Sequence, residues 1–202
     1  MRCAVSTGPR GRRGTEKYDE AMLQISAHPN TLAIIEAWSR LSREDEKSAT
    51  EPMVSEYPDL IGRLFILQRA HVNDYPFRVA GANLQDIFGR ELAEHNFLSL
   101  WRPADKPLVS GAIESALMEG SPSLLKAEGE SLDGRKVNVE VSFAPLDEAS
   151  SPRPRILGLY QLLDEEHRLH GRPIWRQYTK SVLAAKPASR TPGVRLIACN
   201  DV

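Results

Sequence analysis

Cysteine is nearly missing: Cys3 and Cys199 stand at opposite ends of the 202 residues. A pair so far apart is neither a disulfide framework nor a metal-ligand spacing, and it suits a reducing compartment. No apolar run approaches the roughly 18 residues that a membrane span requires. The opening MRCAVSTGPRGRRG is basic but lacks the apolar stretch of a signal peptide. A cytoplasmic protein with no membrane span is therefore expected. A large excess of one charge is missing as well. The net charge of −1 argues against a dedicated nucleic-acid binder, and no nucleic-acid partner is expected. No GxSxG motif and no Cys beside a His is present, so hydrolase chemistry has no visible nucleophile.

The excess of positive charge lies at the ends. Arg2, Arg10, Arg12, Arg13 and Lys17 face the single acid Glu16, and the chain beyond Ser151 is again rich in arginine and lysine. Residues 1–27 read as a disordered or over-extended N-terminus, with Met22 as an alternative start. Residues 166–202 read as a basic C-terminal tail. Between them, 28–165 has the length of one domain.

The central region is mixed. In AHPNTLAIIEAWSRL, Asn30 is placed as an N-cap, and Ile34, Ile35, Trp38 and Leu41 form one apolar stripe. A polar linker, 43–56, follows. Strands are expected over 62–71 and 75–81, separated by the turn signal Asn73-Asp74. ANLQDIFG is a short helix ended by Gly89, and 104–122 is a longer one ended by Gly120 and Pro122. Leu132-Asp133-Gly134-Arg135 joins two further strands as an Asp-Gly hairpin. In the second of these, Val137, Val139, Val141 and Phe143 alternate with Asn138, Glu140 and Ser142. ILGLYQLL supplies a fifth strand. The whole is an α+β arrangement: a five-stranded antiparallel sheet with helices on one face, preceded by an N-terminal helix.

This order resembles that of a PAS domain, and the residues extend the likeness. HPNTLAIIEAWSRL, LIGRLFILQRA, PFRVAG, ANLQDIFGREL and FLSLW resemble a family of small bacterial PAS-like proteins. Arg78, Ala80, Gly81, Phe88, Gly89, Arg90, Glu91, Leu92, Phe97, Leu100 and Trp101 carry the match, over about residues 28–165. The resemblance implies a sensory or interaction module rather than an enzyme, one that dimerises through a flanking helix. Since 202 residues leave no room for an output domain, it also implies signalling through a partner protein.

PFRVAGANLQDIFG passes from strand to helix through a glycine, as phosphate loops do. It has neither GxxxxGK[ST] nor GxGxxG, so Gly81 is expected to serve a sharp turn. A LOV-type flavin adduct needs a cysteine in the helical middle, where there is none. Haem needs an axial ligand, for which only His95 and His71 are candidates, and haem is disfavoured. His167 and His170 lie beside Asp164, Glu165 and Glu166, where a solvated charged stretch outweighs a metal site, so no metal is expected. Which cofactor, if any, is held stays open. A ligand cavity would be walled by Phe77, Phe88, Phe97 and Ile113. Arg78 either clamps an anion there or leaves the core to pair with Glu91 or Glu140. For interaction, Ile34, Trp38 and Leu41 offer a homodimer face, and Trp175 an aromatic anchor among basic residues. The alternatives for Trp175 are a partner-docking motif and a short amphipathic helix folded back on the domain.

Overall fold

The computed structural model describes residues 27–41, 57–147, 150–186 and 193–199, with backbone only at 41, 166, 184–186 and 193–199. The expectations for residues 1–26 and for the linker 43–56 lie outside these.

Helix α1 spans Pro29–Leu41. Proline suits a first helical position, where its missing N–H costs nothing. Asn30 sits one residue inside the helix rather than capping it. Its backbone N–H is accepted by His28 Nδ1 at 3.1 Å, and its amide donates to Gln161 Oε1 at 3.0 Å. A 3-10 turn over Pro58–Arg63 leads into β1 (Leu64–Gln68) and β2 (Phe77–Ala80). Then come α2 (Ala82–Phe88), a 3-10 turn over Phe97–Leu100, and α3 (Lys106–Glu119). Gly89 at φ 60° and Gly120 at φ 58° end α2 and α3 in the left-handed conformation, as their positions after the last apolar residue predict.

Strands β3 (Ser123–Ser131), β4 (Lys136–Pro145) and β5 (Arg155–Leu162) follow, with Gly134 at φ 81° in the β3–β4 turn. Beyond a 3-10 turn at Glu166–Leu169 lie β6 (Ile174–Lys186) and β7 (Gly193–Cys199). The sheet order is β2-β1-β5-β4-β3-β6-β7, and every described pair is antiparallel. The α+β class and the five expected strands are present.

Two features depart from expectation. Residues 174–186, read as part of a tail, form a strand on β3 and bring the sheet to seven strands. Register shifts opposite Glu130/Ser131 and Lys126/Ala127 make Trp175 and Lys180 extra residues in β6. Two bulges break the period-two alternation by which a strand is recognised. Secondly, α1 lies on the face opposite α2 and α3. Leu157 and Leu159, alternating with the inward Ile156, Gly158 and Tyr160, pack against Ile34 and Ala37. The main core sits on the other face, between the sheet and α2, α3 and the segment joining them.

Candidate functional site

The expected cavity wall comes together, but as packing. Phe77, Phe88, Phe97 and Ile113 are all buried in one cluster. The rings of Phe65, Phe77, Phe97 and Phe143 meet at centroid separations of 5.5 to 6.3 Å, mostly edge to face. Such geometry matches the ring quadrupoles and fills space at the density of a protein interior. Phe88 packs against Tyr160 at 5.3 Å, and Trp101 against Phe97 at 5.8 Å. Two clefts open at the surface: one of about 350 Å3 bounded by Asn73, Asn96, Ser99 and Lys106, and one of about 360 Å3 by Asp86, His167, Leu169 and Arg172.

Arg78 does not belong to that wall. It points to solvent, where its Nη1 meets Glu94 Oε1 at 2.5 Å and its Nε donates to Gln68 Oε1 at 2.7 Å. Its partner is neither Glu91 nor Glu140, because β2 runs beside residues 93–96, linked by Phe77 N to His95 O and Glu94 N to Phe77 O. Gly81 has an ordinary φ of −64°. Its requirement is close approach rather than a special turn: a Cβ there would lie 2.4 Å from the Gly62 backbone. His95 and His71 are exposed, so neither is aimed at the interior as an axial ligand would be. His167 pairs with Glu165 at 2.9 Å on the surface.

Polar groups the sequence did not single out do line the core. Tyr75 Oη lies 2.8 Å from Ser110 Oγ and donates to Glu114 Oε1 at 2.7 Å, and Glu114 is held in turn by Arg69 Nε at 2.8 Å. Burial, with the Glu114 charge adding to it, pushes the Tyr75 phenol up to about 12. Tyr160 is wholly buried and raised well above its ordinary value by that burial, and it donates to Gln177 Oε1 at 2.8 Å. Gln177 Nε2 and Trp101 Nε1 are buried donors without an acceptor among the described residues. Trp101, just after the 3-10 turn, and Gln177 of β6 meet at an isolated parallel bridge. No motif announces this seam, since it joins residues 76 positions apart through an unexpected strand.

The outer face is the other candidate. Ile34, assigned to an interface, is buried against the protein's own sheet and is not free for one. Its apolar surface is used because α1 folds back on Leu157 and Leu159. Trp38 is half-buried, with its indole Nε1 donating to Pro145 O at 2.7 Å. The side chain of Leu41 lies outside the described residues. Leu32 and Ile35 of α1 remain half-exposed. Glu140 sits beneath the start of α1, fully buried, accepting from His28 N at 2.9 Å, with Lys126 Nζ 4.0 Å from its other oxygen. Alternation predicts Glu140 on a wet face, and it would be wet if α1 did not return over it.

Trp175 lies in β6, which is neither an unstructured tail nor an amphipathic helix. Trp175 is 45% exposed, and its ring is covered on one side by the Arg176 guanidinium, 3.8 Å from the ring centroid. Nearby on the outer face Tyr178 donates to Glu130 Oε2 at 2.5 Å, and Glu128 is shared by Lys136 at 2.8 Å and Lys180 at 3.1 Å. Burial works to raise the Glu128 carboxyl, but the two ammonium partners outweigh it and hold it below the usual range.

Among solved structures, a light-oxygen-voltage domain studied with a flavin analogue is 15% identical, with 61% of this chain and 93% of that chain covered and a TM-score of 0.45. The dark state of the blue-light photoreceptor Aureochrome1 LOV is 15% identical, with coverages of 62% and 90% and a TM-score of 0.43. The Rhodobacter sphaeroides LOV protein is 13% identical, with coverages of 59% and 71% and a TM-score of 0.42. No curated protein matches the chain. No described helix is long and apolar enough to cross a membrane. Residues 26–161, two-thirds of the chain, match the family described as PAS domain, and the chain therefore belongs to the PAS domain family.

Proposed function

We propose that this PAS domain is a non-enzymatic regulatory module that acts by contact with another protein, in the cytoplasm of a bacterial cell and as a homodimer. The filled interior carries this reading: Phe65, Phe77, Phe97 and Phe143 occupy the space in which a sensor would hold its ligand. With that space taken, differential binding can act only at surfaces. For the homodimer, Ile34 is spent on the sheet, and the half-exposed Leu32 and Ile35 of α1 take its place beside Trp38. A regulatory contact of this kind needs no general base or nucleophile, and fold alone confers neither.

A small-ligand sensor is the second reading. Trp101 Nε1 and Gln177 Nε2 favour it, because two buried donors without acceptors each cost about 1–3 kcal/mol, which a ligand oxygen would offset.

Native mass spectrometry and light scattering of the freshly purified full chain decide between them. The module reading expects a bare polypeptide mass and a dimer that Ile35→Arg weakens. A co-purified small molecule, lost on Gln177→Leu, would transfer the conclusion to the sensor. A monomer at all concentrations would remove the dimer.

A further inference from the structure

We propose that the bulge at the start of β6 builds a docking site for an acidic, amphipathic segment of a partner protein. This rests on the interaction-module reading and names the surface and the chemistry of its partner.

The bulge sets the geometry. Ser131 pairs with Ile174 and Glu130 with Arg176, which leaves Trp175 as the extra residue. Ile174 still turns inward: a Cβ on Gly129 would lie 2.6 Å from Ile174 Cδ1, so the side chain occupies the place a larger residue would take. An extra residue in one strand re-aims the side chains after it. Trp175 is thereby displayed at the surface directly beside an inward plug that fixes its backbone.

The chemistry is that of a recognition anchor. Arg176 stacks on the indole through the face of its guanidinium, which leaves the N–H donors at its rim. Arg69, Arg78, Arg102, Arg135, Arg155 and Arg168 each pair with a carboxylate. Arg176 and Arg172 have no such partner among the described residues. Over 167–186 the chain carries no Asp or Glu, and although Arg168 and Lys180 are matched by Asp164 and Glu128, Arg172 and Arg176 keep their charge for a partner. Leu132, 78% exposed, stands in the β3–β4 turn, and the Ser131–Ile174 pairing puts that turn at the same end of the sheet. Tryptophan and arginine dominate binding hot spots, and an apolar neighbour widens the anchor. The complement is a segment offering carboxylates to the guanidinium rims and aliphatic side chains to Trp175 and Leu132. A nucleic acid is the poorer fit because it would meet no broad basic field. An anionic bilayer is poorer too, since two apolar side chains bury little area in it.

The test uses the full chain and a fluorescein-labelled amphipathic peptide of Glu and Leu, followed by fluorescence anisotropy. A Lys/Leu peptide, phosphatidylglycerol vesicles and a single-stranded oligonucleotide serve as competing probes. The Glu/Leu peptide is expected to bind in preference to all three. Trp175→Ala and Arg176→Glu are each expected to weaken that binding by roughly tenfold or more, while the urea midpoint of Arg176→Glu stays at the wild-type value. The proposal is overturned if the Glu/Leu peptide fails to bind, if both variants bind it as the wild type does, or if vesicles or oligonucleotide bind better and respond to the same variants. The module reading fails separately, by a co-purified interior ligand, which would leave peptide binding untouched.

Discussion

The ring of Phe65 lies across Gly158: a Cβ placed on the glycine would meet the ring Cζ at 2.0 Å. Phe65, Gly158 and Phe143 are in register on β1, β5 and β4, and the two rings meet edge to face at 6.3 Å over the missing side chain. Gly158→Ala is therefore expected to overpack the core and cost about 1–3 kcal/mol, read as a lower urea midpoint. Phe65→Leu in the same chain should recover part of the loss. A wild-type midpoint for Gly158→Ala would show that the interior has slack, and would reopen the case for a cavity.

Tyr75 gives a pH signature. Its folded pKa of about 12 lies above the ordinary 10.0, mainly through burial. The fold thus holds the phenol proton more tightly than the unfolded chain does. That contribution is complete below pH 10 and is lost as pH rises through about 12. Tyr75→Phe should lose about 1–2 kcal/mol at neutral pH and flatten the alkaline decline of stability. Equal alkaline slopes in the two proteins would rule out Tyr75 as its source.

Glu140 ties α1 to the sheet. It accepts the His28 N–H at 2.9 Å where the helix begins, and negative charge at that end is favoured by the helix dipole. Glu140→Ala should leave the part-buried His28 N–H unpaired, cost about 1–3 kcal/mol, and speed hydrogen exchange in α1 more than in β4. Uniform acceleration across the fold would mean that α1 does not open as a separate unit.

Asp147 closes the β4–β5 loop on Arg155, which donates to it from Nε at 2.9 Å, from Nη2 at 3.0 Å and from its backbone N–H at 2.8 Å. Those side-chain hydrogen bonds hold the carboxyl below its ordinary 3.8. A depressed folded pKa contributes stability above the unfolded value and loses it as pH falls through the folded one. Asp147→Asn should cost at most about 1 kcal/mol at neutral pH, less in high salt. The gap to wild type should close under acid. A gap that persists there would assign the loss to loop geometry instead.

Strand β6 is part of the core. Ile174 and Val182 are buried, and Ile174 fills the space over Gly129. Ile174→Ala should cost about 2–4 kcal/mol, and a chain ended after Asp164 should expose the β3 edge and aggregate. A soluble, cooperatively unfolding truncation would restore the boundary near residue 165.

Much of this fold was legible because its signals are local. Gly89 and Gly120 close helices by rules that act within one turn, and Asp133-Gly134 joins two strands with no help from elsewhere. The alternation Val137, Val139, Val141, Phe143 marks an inward face in any sheet, and the apolar residues Phe77, Phe88, Phe97 and Ile113 lie in one buried cluster.

Other features depend on partners far along the chain. Glu140 alternates as a wet residue and is buried only because α1, more than a hundred positions earlier, returns over it. Ile34 reads the same on a helix that dimerises and on one that packs at home. The pairing with Leu157 and Leu159 distinguishes them. In β6 the two bulges erase the strand period, and the β3 edge still recruits it because an unpaired ladder of N–H and C=O groups demands a partner. Residue pattern reports what each segment can bury; burial itself is a property of the pair, settled when distant segments meet.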